Sequence, residues 1–352
     1  TQNRVEKSVW VRVPPPAPCR RGWHIVRGHF FAKVTVHPFC RGSFPNCDRW
    51  GWGAVWVSEC ERIFFANITR AGAKYDLLRR FYAHGKKELD ALKHCKVISF
   101  QSTGYNEIDL DYATEKGICV VSILDYCTQE TAENAFAMML SLQRGLPTYH
   151  RSVQEKKEWN LYAASHLQRV EGQTMGIVGL GRIGRSVAKK AHGFDMPVIA
   201  YDPYIPESVA KEAGVKMVDL DTLLAESDVI SIHMNLTADN VHFFNRETFM
   251  KCKKRPIIIN EGRGAMISEE DLAWALDNGL VRGAGLDMLE SEFPDLENCK
   301  LMGRDNIILN PHAGYYSDTS DYLMSKLSME NALLCYEGRY KEAKVVRNGI
   351  GL

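Results

Sequence analysis

Three short words in the chain combine residue types that can move a proton and hold an acid. They are Asn260-Glu261-Gly262-Arg263-Gly264, Asp287-Met288-Leu289-Glu290-Ser291-Glu292 and Asn310-Pro311-His312-Ala313. Arg263 offers a planar fork of donors that fits a carboxylate or a carbonyl oxygen. His312 can give or take a proton near neutral pH. A carboxylate on the other ring nitrogen orients a histidine and favours its charged form. An arginine, a carboxylate and a histidine converging on one crevice suit reduction of a 2-oxo acid. Taken singly, each has an ordinary structural explanation: a surface ion pair, a solvated loop, a packed ring after proline. Nothing in the set suggests a metal site.

Their joint occurrence gains weight from what precedes them. Met175 to Gly184 contains Gly179-x-Gly181-x-x-Gly184. An apolar strand-like run leads into it and a helical stretch, Arg185 to about Ala191, follows. In that context each glycine has a task. Gly179 permits a tight turn, Gly181 lets backbone approach a pyrophosphate, and Gly184 allows close helix–strand packing. The helix N-terminus then presents unpaired N–H groups to phosphate, with Arg182 and Ile183 in its first turn. A second strand-like run, Pro197–Tyr201, ends in Asp202, 18 residues after Gly184. Asp202 can accept hydrogen bonds from ribose hydroxyls. Pro203 and Tyr204 follow it, with no arginine to meet a 2′-phosphate, so NAD is preferred over NADP.

The elements that must position these groups alternate at short intervals from about Lys86. Strand-like runs are read at Lys96–Phe100, Met175–Gly179, Pro197–Tyr201, Asp228–His233, Pro256–Asn260, Gly283–Asp287 and Asn306–Asn310. Most are near-continuously apolar, as parallel strands covered on both faces should be. Thr131–Leu142 carries apolar residues at helical spacing, and Asp318–Tyr336 reads as a further helix. Ser268-x-x-Asp271 reads as a capping box, with Gly279 at the helix C-terminus. The alternation implies an α/β fold with a doubly wound parallel sheet. The three chemical words fall at strand ends, where such sheets bind ligands.

The chain has 352 residues, which suits two domains. Its formal charge is +1, too balanced for a dedicated nucleic-acid or membrane-surface binder. No run is long enough to cross a bilayer, and Thr1–Trp10 has no apolar signal core. The 10 cysteines contain no C-x-x-C pair, so free thiols in the cytoplasm are expected. Residues 1–85 differ from the rest. They hold 14 basic against 5 acidic groups, five of the seven Trp and the run Pro14-Pro15-Pro16-Ala17-Pro18. Phe31–Val36 and Gly53–Val57 could be strands and Lys74–Ala83 a helix. The segment reads as a basic binding arm or as a leader outside the fold, and its Pro- and Arg-rich texture favours the leader.

From about Leu89 to the mid-330s the sequence resembles the D-isomer-specific 2-hydroxyacid dehydrogenases. The family includes D-lactate and D-3-phosphoglycerate dehydrogenases, glyoxylate/hydroxypyruvate reductases and the C-terminal-binding corepressors. Gly172–Gly184 is similar to the family's cofactor motif, His233-Met-Asn-Leu-Thr237 to its H-x-P-L-T segment, Asn260–Gly264 to its N-x-x-R-G segment, and Pro311-His312 to its P-H. The resemblance implies an NAD-dependent exchange between a D-2-hydroxy acid and a 2-oxo acid. It implies Arg263 as the substrate-binding arginine, His312 as the acid/base and Glu292, 29 residues after Arg263, as its partner in preference to Glu290. It places His233, Thr237 and Asp287 with the cofactor, Asp287 at the nicotinamide carboxamide. It places Ser102, Thr103 and Gly104 in the loop that takes the substrate carboxylate through backbone N–H groups.

The resemblance also implies a Rossmann NAD domain over 126–315 and a flavodoxin-like substrate domain built from 86–125 and 316–352, with 1–85 an atypical part of it or a leader. Homodimerisation through the NAD domain is implied for Thr131–Leu142 and the arm to about Trp159. Two departures stand out. Glu261 and Gly262 replace the small or hydroxyl residues common between Asn and Arg, and Glu261 could pair with Arg263 or point away. Residues 1–85 do not match the family's first βα units. Thr131-Ala-Glu-Asn134 and Leu289-Glu-Ser-Glu292 are similar to the corepressor branch, so an NAD(H)-sensing binding protein is one alternative. A catalytically weakened remnant is another.

Overall fold

The computed structural model describes residues 85–352, apart from 93–94, 106–107 and 166, together with three short strands nearer the N-terminus. The chain divides into two units, Thr1–Tyr126 with Asp318–Leu352, and Cys127–Ser317.

In the first unit, β1 (Ser8–Trp10) pairs antiparallel with β2 (Lys33–Thr35). A separate parallel sheet has the order β3-β4-β5: Ile63–Ala66, Val97–Phe100 and Cys119–Val121. The expected strand at Phe31–Val36 is present in its centre. Gly53–Val57 and Lys74–Ala83 lie outside the described residues. β3 was not among the strands named from the sequence. Four residues are too few to display a period, and only pairing with β4 defines them.

The alternation along β4 divides its side chains between two faces. Ile98 and Phe100 join Leu89 of α1 (Lys86–Ala91) and Ala113 of α2 (Leu110–Glu115) in one buried cluster. Val97 joins Cys119 and Val121 on the opposite face. Asp109 caps α2 by accepting from the Tyr112 amide at 2.9 Å.

The second unit is a seven-stranded parallel sheet of order β12-β11-β10-β9-β6-β7-β8. β6 is Met175–Val178, β7 Val198–Tyr201, β8 Lys216–Met217 and β9 Val229–Ile232. β10 is Ile257–Asn260, β11 Gly283–Leu286 and β12 Ile307–Leu309. The strand order reverses between β6 and β9, which pair in parallel. That is the switch point at which doubly wound sheets open a crevice. Apart from β8, which no apolar run indicated, each strand falls within the run read for it and is one or two residues shorter.

Helices cover both faces. α3 (Thr128–Gln143) and α5 (Arg182–Gly193) lie over the Ile177, Ala200 and Ile259 face. The short α4 (Leu146–His150) follows α3 and continues into a π turn, Arg151–Glu155. α6 (Glu207–Glu212) leads into β8. α7 (Leu220–Glu226), α8 (Arg246–Met250) and α9 (Glu269–Asp277) belong to the Val178, Ile230 and Ile258 face, where Leu223, Phe249 and Leu272 are enclosed. Each such apolar side chain contributes about 1.5–3 kcal/mol through burial. The box expected at Ser268 forms in one direction only. Ser268 Oγ accepts from the Asp271 amide at 3.2 Å, while the Ser268 amide donates to Phe244 O and needs no reciprocal carboxylate.

α10 spans Asp318–Tyr336 and returns the chain to the first unit. Its Ala332 and Cys335 cover Val97, Cys119 and Val121. Ser99 Oγ donates to Ser328 O at 2.9 Å and Asn331 Nδ2 to Ser122 O at 3.1 Å.

Candidate active site

The glycine loop follows β6 at the switch point. Gly179 has φ +94, and a Cβ there would lie 2.8 Å from the Met234 amide nitrogen, so only glycine passes this turn. A Cβ at Gly184 would lie 2.2 Å from Gly179 O, which fixes how closely α5 meets the strand. A Cβ at Gly181 would meet only open space. Gly181 is also the N-cap of α5 and provides no side-chain cap. The first turn, with an exposed Arg182 and a half-buried Ile183, therefore has amide donors to offer an anion.

Asp202, at the end of β7, is tied to that loop. Its Oδ2 accepts from the Leu180 amide at 2.8 Å, and Oδ1 accepts from Tyr204 and Ile205 at 2.9 and 3.2 Å. The carboxylate is thus held still with lone pairs left for a diol. The open space at Gly181, the uncapped helix and the fixed carboxylate fit a dinucleotide's pyrophosphate and ribose.

His233 ends β9. Ser231 Oγ lies 2.7 Å from its Nε2, while Nδ1 is enclosed without a partner. Burial pushes the ring's pKa down to about 3, so it is neutral near pH 7. Thr237 is exposed and caps a 3-10 turn, Ala238–Asn240, its own amide donating to Asn240 Oδ1 at 2.7 Å.

The proton-handling groups sit at the ends of β10, β11 and β12. His312 Nδ1 lies 2.9 Å from Glu292 Oε2 and 3.1 Å from Oε1. Both side chains are partly exposed. The hydrogen bond from His312 holds the Glu292 carboxyl below the usual range, burial opposes this, and the Arg263 charge reinforces it. Arg263 Nη1 donates to Gly262 O at 2.8 Å. Its backbone is fixed by Asn260, whose Nδ2 donates to Arg263 O at 3.0 Å and whose Oδ1 accepts from Gly262 at 3.0 Å. A Cβ at Gly264 would lie 1.7 Å from Leu289 O, so this glycine lets the Arg263 turn press against the loop that carries Glu292.

Glu290 is occupied elsewhere. It lies 3.0 Å from His242 Nε2 and accepts from the Glu269 amide at 2.8 Å. His312 itself has φ +53, a conformation costly for any residue with a Cβ. What holds it there is Asp287. The Asp287 carbonyl accepts from the His312 amide at 2.6 Å, and the carboxylate accepts from Ala313 and Gly314 at 2.9 Å. Asp287 is buried, and burial raises its pKa against the pull of these amides and of His312.

In the first unit, the Ser102–Gly104 turn follows β4. Ser102 Oγ donates to Gly104 O at 2.7 Å. Arg347 Nη2 donates to Thr103 O at 3.3 Å, and its guanidinium covers the Tyr105 ring at 4.6 Å. Arg347 was not singled out from the sequence, because a lone arginine near a terminus carries no local signal. Asn134 entered the sequence reading only within Thr131-Ala-Glu-Asn134, and Gly314 did not enter it. Asn134 Nδ2 donates to Glu261 Oε1 at 2.8 Å, which draws Glu261 away from an ion pair with Arg263. Among the described residues no group of His, Cys, Asp and Glu could hold a metal, and no helix is long and apolar enough to cross a membrane.

Comparison with known proteins gives the same frame. Residues 136–314 match the family model "D-isomer specific 2-hydroxyacid dehydrogenase, NAD binding domain". A D-3-phosphoglycerate dehydrogenase of Archaeoglobus fulgidus is 39% identical over 224 residues, 64% of this chain and 42% of that protein. A glyoxylate reductase of Korarchaeum cryptofilum is 34% identical over 252 residues, 71% of this chain and 75% of that protein. The structure of a D-lactate dehydrogenase from Aquifex aeolicus, complexed with NAD and lactic acid, aligns with a TM-score of 0.71. It is 29% identical, with 82% of this chain and 87% of that one covered. The alignment with the A. fulgidus phosphoglycerate dehydrogenase covers only 42% of that protein's length. The glycine loop, the strand order around it and these matches together show that the chain belongs to the D-isomer-specific 2-hydroxyacid dehydrogenase family and contains its NAD binding domain.

Proposed function

We propose that the protein is an NAD-dependent oxidoreductase that interconverts a D-2-hydroxy acid and a 2-oxo acid. The observation that carries this reading is the His312–Glu292 pair at the carboxyl end of the sheet, with the Arg263 charge acting on the same carboxylate. Gly179, Gly181, Gly184 and the first turn of α5 hold the pyrophosphate, and Asp202 takes the ribose hydroxyls. The negative Asp202, followed by Pro203 and Tyr204, disfavours a 2′-phosphate. Bound NADH supplies a hydride to C2 of the 2-oxo acid.

His312 delivers the proton to the carbonyl oxygen. Glu292, kept ionised by its partner, fixes the proton on Nδ1 and leaves Nε2 as the exchanging nitrogen. It also stabilises the imidazolium before transfer. In the reverse direction the same ring takes the hydroxyl proton. Arg263 spends one donor on Gly262 O and has others for the substrate carboxylate. On the family resemblance, Thr103 and Gly104 lie in the loop whose backbone N–H groups bind substrate, and Ser102 and Arg347 brace their turn. On the same basis His233, Thr237 and Asp287 belong to the cofactor's surroundings.

The chain is further read as a homodimer through the second unit. Trp159, Leu161 and Tyr162 are 93, 69 and 80% exposed in the single chain, a cluster that water disfavours. The enzymatic reading is tested by NADH oxidation against pyruvate, glyoxylate, hydroxypyruvate, phenylpyruvate, 2-oxoglutarate and phosphohydroxypyruvate, with NADPH in parallel. Turnover of one acid with NADH names the substrate class. NADH binding without any turnover favours a sensor instead.

A further inference from the structure

Glu261 follows β10 and is buried, although glutamate is seldom found so. Its Oε1 accepts from Asn134 Nδ2 on α3, and Asn134 Oδ1 accepts from Asn310 Nδ2 at the end of β12 at 3.1 Å. Its Oε2 is enclosed and receives no hydrogen bond from any donor among the described residues. A Cβ at Gly314 would lie 2.4 Å from Glu261 Oε2, 2.8 Å from Asp287 Oδ2 and 3.0 Å from Asn134 Nδ2. Two carboxyl oxygens therefore border one small space that exists because residue 314 has no side chain.

Two ionised carboxylates bordering one space out of water are unfavourable on both counts, desolvation and repulsion. The surroundings decide which one keeps a proton. Asp287 accepts from the amides of Ala313 and Gly314 and lies near His312, with Glu292 the other charge acting on it. Glu261 has a single amide donor, from Asn134. Burial and the Asp287 charge raise Glu261 well above the usual carboxylate range, with Asn134 opposing.

We propose that Glu261 is a positioning residue that shares one proton with Asp287, donating it from Oε2 to Asp287 Oδ2 and so clamping the end of β10 to the loop that carries His312. The clamp accounts for three features at once: the otherwise unpaired Oε2, the glycine at 314, and the strained His312 backbone hung on Asp287. It goes beyond the proposed reaction and depends on it only for the meaning of His312.

The proton itself is tested without cofactor or turnover. Glu261→Gln keeps the shape and replaces the acid by a neutral donor. Wild-type protein and the variant are unfolded in urea across pH. A native carboxyl with a raised pKa binds more protons than the unfolded chain, so this group's contribution to stability falls as pH rises above about 4.3. The wild-type unfolding constant should grow relative to that of Glu261→Gln by up to tenfold per pH unit. Parallel pH dependences would overturn the shared proton. The clamp is tested separately by Glu261→Ala, which removes the donor. If both variants fold and wild type turns over, kcat should be at least tenfold higher in Glu261→Gln than in Glu261→Ala, at similar KM. Equal kcat values would overturn the clamp. An inactive wild type would sink the proposed reaction, and the urea comparison would still decide the proton.

Discussion

His312 brings chemistry and backbone strain to one position. Its left-handed φ is maintained by hydrogen bonds to Asp287, and its ring is oriented by Glu292. Glu292 has a depressed pKa in the folded state, so its contribution to stability is present above about pH 4.3 and is lost as pH falls through the folded value. Glu292→Gln should therefore lose stability at pH 7 and converge with wild type in acid, as read by urea midpoints. The loss should stay under about 1 kcal/mol, because both side chains are partly exposed and screened. The choice between Glu290 and Glu292 was legible only through family spacing from Arg263. Periodicity could not separate them, since both lie in one irregular loop. The destination of Glu261 was not legible at all. Its burial depends on Asn134, 127 positions away, and on a glycine that makes room.

At the scale of elements, the sequence read well wherever an apolar run ended in a residue that turns the chain. In the seven-stranded sheet β6, β7 and β9 to β12 follow in that way, and α10 spans the residues its pattern indicates. β8, α6 and α7 were not foreseen, because two to seven residues cannot show a period that distinguishes helix from strand. Close approach between loops was also hidden. Gly264 looks like part of a motif in the sequence, and its physical reason appears only at the Leu289 carbonyl. Gly264→Ala should destabilise the protein by about 3 kcal/mol or more, at the upper end of overpacking costs, since backbone rather than a flexible side chain must move. Thermal or urea unfolding measures this directly. A variant as stable as wild type would show that the two loops are not pressed together.

At the scale of the molecule, the family model covers the core of the second unit, and the first unit was the less legible of the two. β3 shows that part of the stretch before residue 85 joins a parallel sheet, a fact that four residues could not signal. The side chain on the substrate is correspondingly the least legible feature. Assembly is addressed by the exposed Trp159, Leu161 and Tyr162. For the proposed homodimer, replacing Leu161 and Tyr162 by Glu should shift sedimentation to that of a monomer while leaving NADH fluorescence binding in place. An unchanged sedimentation coefficient would remove this surface from the interface.

In the proposed reaction His312 moves the substrate proton and NADH is the hydride donor. The most direct test compares wild type and His312→Ala for NADH oxidation with the best 2-oxo acid of the panel, alongside NADH binding by fluorescence. In His312→Ala kcat should fall by about 10²- to 10⁴-fold with NADH affinity retained. Turnover by His312→Ala near the wild-type rate would contradict this role of His312.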